Sequence, residues 1–161
     1  MLIEATSDTS RRPRHRMTHR KPDHNMAHAP LKLDQSEELR FIPLGGCGEV
    51  TRSMYVYEYK DDIVIIDMGL QFPDEDMPGI DYLIPNVEYL KPRKKHIRGI
   101  VITHGHYDHI GAIPHLLDAL GNPPIYTTAL TRGVITKRQE DFKGSPRPNI
   151  EIIVPESKLQ L

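Results

Sequence analysis

Thr103-His104-Gly105-His106-Tyr107-Asp108-His109-Ile110-Gly111 is the stretch on which the reading of this chain turns. Three imidazoles and one carboxylate, His104, His106, His109 and Asp108, fall within six positions. All are metal-ligand types, and imidazole with carboxylate suits zinc and other borderline divalent ions. The run begins where an apolar strand, Ile100-Val101-Ile102, gives way to a helix-like pattern starting at Ile110. Side chains two apart on extended backbone point the same way, so His104 and His106 are expected to share one ion. Beyond the turn, Asp108 and His109 project differently and reach a second, so the arrangement predicts a pair of ions. A lone histidine is usually a surface or satisfied core residue, and His96 and His115 are read that way. Four ligand types in this order at a strand-to-helix junction are not. The run lies mid-chain between periodic elements, which excludes an affinity tag.

Working outward, Ile97 to Thr103 reads as the central strand, and residues 110 to 120 as a helix stopped by Gly121-Asn122-Pro123-Pro124. Further strands are expected at Ile125 to Thr127 and Ile150 to Val154, with a second helix over Ala129 to Asp141. Upstream, Arg40 to Leu44 reads as a short strand halted by Gly45-Gly46-Cys47-Gly48. Met54 to Tyr59 alternates as a half-buried strand. Ile63-Val64-Ile65-Ile66 is apolar on both faces, hence a strand buried within layers, and it ends in Asp67-Met68-Gly69. Asp74-Glu75-Asp76 sits in a long loop between prolines and reads as solvated. Strands first, then strand and helix alternating, indicate an α/β layered domain.

Residues 1–37 form a separate region, expected to be a basic, disordered tail. Arg11, Arg12, Arg14, Arg16, Arg20 and Lys21 mix with His15, His19, His24 and His28, and large apolar residues are sparse. It is either a solvated extension or a salt-sensitive, sequence-blind contact for RNA phosphates. The 161 residues suggest one domain, placed at 38–161, and a net charge of -1 excludes a broadly basic nucleic-acid-binding surface. The single cysteine, Cys47, excludes an internal disulfide framework and reads as a small buried residue. With no apolar leader and no run of membrane-spanning length, the expectation is a soluble, cytoplasmic protein without membrane contact.

The nonamer has the His-x-His-x-Asp-His pattern of the metallo-β-lactamase superfamily. Phe41-Ile42-Pro43-Leu44-Gly45-Gly46-Cys47-Gly48-Glu49, Met54 to Tyr59, Ile65 to Pro73 and Gly79 to Pro85 narrow the likeness: they resemble the ribonuclease J family over about residues 39–154. That resemblance implies the N-terminal half of an αββα sandwich, truncated before the family's inserted β-CASP domain. Carried over by motif, His104 and His106 resemble ligands of a first zinc, and Asp108 and His109 those of a second. Asp67 resembles the family's supporting aspartate, so Asp67 and Asp108 are the catalytic candidates. The physical case agrees, because a ligating imidazole wants its other N–H held by a carboxylate; the plainer reading of Asp67 is a turn residue before glycine. Thr51-Arg52-Ser53 departs from the family's usual glycine, basic residue and asparagine.

The implied activity is zinc-dependent hydrolysis of RNA, two Zn2+ per complete site, cutting internally or trimming from a 5′-monophosphate end in RNA decay and maturation. A homo-oligomer is implied for the full-length protein. No residue is assigned to RNA: Lys91, Arg93, Lys94 and Lys95 read as a solvated edge before a strand in preference to an RNA path. Two rivals stand beside this. One is another hydrolase on the same fold, acting on a thioester, lactone or β-lactam; the other is an inactive truncated product. The chain is expected to be part of something larger and, alone, catalytically weak or dead, with its remaining ligands beyond Leu161.

Overall fold

The computed structural model of this protein describes residues 37–161. The expected tail, residues 1–37, lies outside the described residues apart from Glu37. Six strands form one sheet in the order β1 (Leu39–Gly45), β2 (Met54–Tyr59), β3 (Asp62–Ile66), β4 (Ile97–Val101), β5 (Ile125–Thr127) and β6 (Ile150–Ile152). The first three pair antiparallel, and β3 through β6 pair parallel. Parallel neighbours need a crossover. A 3₁₀ helix (Lys91–His96), two single-turn helices α1 (Tyr107–Ile110) and α2 (Ile113–Leu116), and α3 (Ala129–Gln139) lie in those connections. The mixed α/β sheet is the expected architecture. No helix among the described residues is long and apolar enough to cross a membrane.

Alternation decides which face is covered. Met54, Val56, Ile63, Ile65, Ile100 and Ile125 are fully buried together with Leu90, Ile110, Ile113, Leu117 and Leu120 from the helical segments. Removing that apolar area from water is the main favourable term in the fold. The sequence pattern predicted a β3 covered on both faces, and this needs correction. Val64 and Ile66 are only partly buried, because among the described residues the helical segments pack against the face carrying Ile63 and Ile65.

Two further expectations are corrected. The helix predicted over 110–120 begins earlier, at Tyr107, and breaks after one turn into α1 and α2. Pro114, near the start of α2, has no backbone N–H to continue a ladder from α1. Cys47 is exposed and not buried: it lies in a loop whose Gly46 and Gly48 take positive φ, turning the chain away from the core.

The basic run before β4 divides. Lys91, Lys94 and Lys95 are exposed, as expected of a solvated edge, but Arg93 is buried. Its guanidinium bonds Glu58, itself 1% exposed on β2. Arg40 also donates to Glu58, at 2.6 Å, and the Tyr89 hydroxyl donates a third bond. Burial, and then the Glu58 bond, push the Tyr89 hydroxyl above the usual tyrosine range, which keeps it a donor. A buried carboxylate is tolerated here because its lone pairs are met by three donors.

Candidate metal centre

Three loops meet at the carboxyl ends of β3 and β4, and backbone hydrogen bonds clamp them. Asp67 N–H donates to Val101 O at 2.9 Å, Met68 N–H to His109 O at 2.7 Å, and Ala112 N–H to Met68 O at 2.9 Å. Ser53 N–H donates to Asp108 O, while Ser53 O accepts from Gly69 N–H, both at 2.9 Å. The 51–53 segment is thus a structural strut for the histidine loop. Gly69 is required by contact: a Cβ there would lie 1.6 Å from Asp108 O. Gly69→Ala is expected to cost about 3 kcal/mol, at the upper end of overpacking effects, because backbone must move. Urea unfolding measures it; wild-type stability in that variant would show that the loops are not held this way.

Asp67 is 2% exposed, with φ of 62°, a left-handed conformation that aspartate adopts more readily than most residues. Its Oδ1 accepts from Thr103 N–H at 2.8 Å, its Oδ2 accepts from the Thr103 hydroxyl at 2.9 Å, and His109 Nδ1 lies 2.8 Å from Oδ2. A carboxylate in this network accepts, so His109 Nδ1 carries the proton and Nε2 is left with a lone pair. Thr103 has one hydroxyl proton, directed at Asp67. Its oxygen therefore accepts from His104 Nδ1–H at 3.0 Å, which leaves His104 Nε2 with a lone pair too.

Those lone pairs point at further electron-pair donors. His104 Nε2 lies 3.1 Å from His106 Nδ1, and His109 Nε2 lies 3.2 Å from Asp108 Oδ2. Facing acceptors repel unless a proton or a cation sits between them. Two ligand atoms each about 2.0–2.1 Å from a tetrahedral ion lie roughly 3.3 Å apart, so both spacings suit a shared divalent cation. The four sequence-chosen residues lie together: His104 Nε2 faces His106 Nδ1, His109 Nε2 faces Asp108 Oδ2, and the His104 and His109 ring centroids are 4.0 Å apart. Among the described residues no three His, Cys, Asp or Glu side chains converge on one point, so each pair offers two donors of the usual four.

The route to this geometry differs from the one the sequence predicted. β4 ends at Val101, so His104 and His106 are not paired by a strand's pleat. They flank Gly105 in a loop, and His106 is the extended residue preceding α1. Asp108 and His109 belong to the first turn of α1. Sequence reading missed Thr103 and Ser53. Thr103 stood first in the decisive nonamer, but nothing local said that its hydroxyl would join a carboxylate to an imidazole. A cavity of about 840 Å³ between α3 and the segment before β6 contains none of these residues; Arg132, Phe142, Lys143 and Arg147 help line it.

A profile of the metallo-beta-lactamase superfamily matches residues 47–157. The chain is 40% identical over 130 residues to ribonuclease J of Thermus thermophilus, which covers 78% of this chain and 23% of that protein. It is 35% identical over 130 residues to ribonuclease J of Synechocystis, covering 81% of this chain and 20% of that one. The chain thus spans about a fifth to a quarter of the length of these relatives. Among solved structures, the metallo-β-lactamase MIM-1 from Novosphingobium pentaromativorans matches with a TM-score of 0.49 and 23% identity. That match covers 74% of this chain and 43% of that one.

Proposed function

This chain belongs to the metallo-β-lactamase superfamily, and from that we propose that it carries the metal-binding strand-and-loop half of a zinc ribonuclease. The substrate proposed is RNA with a 5′-monophosphate, cut internally and trimmed in the 5′-to-3′ direction, in cytoplasmic RNA decay and maturation. Similarity to two proteins named ribonuclease J supports the substrate class. The observation that carries the chemistry is the pair of tautomer-fixed imidazoles, His104 and His109, each presenting Nε2 to a second donor.

His104 and His106 would hold one ion, Asp108 and His109 the other. Divalent ions held there would lower the pKa of bound water toward neutrality and offset charge building on a phosphate. The chain's own residues do the positioning. Asp67 and Thr103 hold the two imidazoles in one tautomer and one orientation, so neither must reorganise when substrate arrives. Asp108, about a third exposed, accepts a hydrogen bond from the attacking water and orients it toward phosphorus. In this scheme Asp67 is a positioning residue, because its carboxylate is spent on Thr103 and His109.

Two measurements test the reading. Zinc titration of the longest natural polypeptide carrying this sequence is expected to show two binding events, and His106→Ala to lose one while thermal unfolding without metal is nearly unchanged. Unaltered stoichiometry in that variant would remove His106 from the ligand set. In the longest natural polypeptide carrying this sequence, 5′-monophosphorylated RNA should be cleaved in a chelator-sensitive way and a thioester or β-lactam left intact. Turnover of the ester with RNA untouched would overturn the substrate assignment.

A further inference from the structure

Tyr107 separates two candidate ligands, His106 and Asp108, yet the residue is 48% exposed. Phe72, on the loop leaving Gly69, is 63% exposed and meets Tyr107 edge-on, with ring centroids 6.2 Å apart and planes at 83°. The Arg138 guanidinium from α3 lies over the Tyr107 ring at 4.3 Å and donates to Gly111 O at 3.3 Å. A planar cation backed by a backbone acceptor therefore supports the ring, and Phe72 braces it. What remains open is aromatic surface beside the metal-binding loop. Aromatic rings held rigidly in water, with little rotamer freedom left to lose, are what stacking on a flat ligand requires.

We propose that Tyr107 and Phe72, backed by Arg138, form a stacking platform for an unpaired base of the RNA chain next to the phosphate being cleaved. The proposal rests on the ribonuclease reading and deepens it, because it makes single-stranded nucleic acid the preferred substrate. Every base has a π-face, so the platform is tolerant of sequence; specificity is for a base as such. Arg138 adds a positive charge behind the stack, which favours a polyanionic ligand over a neutral one. The substrate base would be fixed beside the metal-binding loop, on the residue that joins His106 to Asp108.

The test compares two ligands on the longest natural polypeptide carrying this sequence, with chelator present so that nothing is cleaved. One is oligoadenylate and the other a ribose-phosphate chain of the same length without bases. Wild-type protein should prefer oligoadenylate by on the order of 5- to 150-fold, the range that stacking one or a few bases supplies. Tyr107→Ala and Phe72→Ala should each remove most of that preference and leave base-free affinity alone, while Tyr107→Phe retains it. A 2-aminopurine base in the oligonucleotide should be quenched by wild type and not by Tyr107→Ala. Equal loss for both ligands, or an undiminished preference in Tyr107→Ala, overturns the platform. RNA binding that ignores the bases sinks the platform alone; absence of RNA binding in wild type sinks the ribonuclease reading with it.

Discussion

Replacing Glu58 by alanine should lower the unfolding free energy by about 3–5 kcal/mol, the usual result of breaking a buried ion pair from one side. The carboxylate is 1% exposed and holds two guanidiniums and a phenol. Arg40 can swing toward solvent once released, because its side chain is a third exposed. Arg93 cannot: it is 9% exposed, and its Nε and Nη2 already lack partners among the described residues. The cost is therefore chiefly that of a cation left in a low-dielectric interior. Removing both partners by Glu58→Met with Arg93→Leu should recover most of the loss, since an apolar pair of similar volume is often neutral. Urea unfolding of the wild type and the two variants decides it. A loss below about 1 kcal/mol in Glu58→Ala would mean that water reaches Arg93 and the pair is not truly buried.

Asp67→Ala is expected to damage stability and metal binding together. Thr103 N–H and His109 Nδ1–H lose their acceptor, and because both bonds are only part-buried each loss should fall at or below about 1 kcal/mol, the low end for a donor left unmet. Alanine also tolerates the positive φ at this position less well, which adds about 1 kcal/mol. The effect on metal affinity is separate: with Nδ1 unheld, His109 can change tautomer and rotate. Loss of such a supporting carboxylate typically weakens metal binding by about 10- to 100-fold. Asp67→Asn separates the two effects. The amide keeps one acceptor for Thr103 N–H and the same size, but places an N–H₂ or a neutral oxygen against His109. It should remain folded while zinc affinity, measured by chelator competition, still falls. An Asn variant with wild-type affinity would show that Asp67 is only the turn residue before glycine.

The two variants mark where sequence reading reached and where it stopped. Glu58 sits in a strand read as alternating and half-buried, and the structure places it on the inward face with Met54 and Val56. Alternation cannot say that an inward glutamate will be met by Arg93, 35 residues away, which as part of a basic run was expected in solvent. Asp67 was singled out as a carboxylate at a strand end able to hold a ligating imidazole. The partner proved to be His109, 42 residues on, with Thr103 sharing the same oxygens. Cys47 was misjudged because smallness among glycines says nothing about which way a loop turns.

By itself the sequence determined the donors: which side chains carry lone pairs, how few residues separate them, and that a strand delivers the chain to them. These are local properties, set by side-chain chemistry and by the two-residue and 3.6-residue periods of the backbone. Tertiary structure decided which nitrogen of each imidazole faces its neighbour, because tautomer depends on Asp67 and Thr103, brought beside the histidines by parallel pairing of β3 with β4. It also decided how the pairs form, through a glycine-bearing loop and one helical turn, since the end of a strand depends on where its neighbours stop pairing. Contacts between residues dozens of positions apart follow from burial of the shared core, and no window of sequence contains both partners.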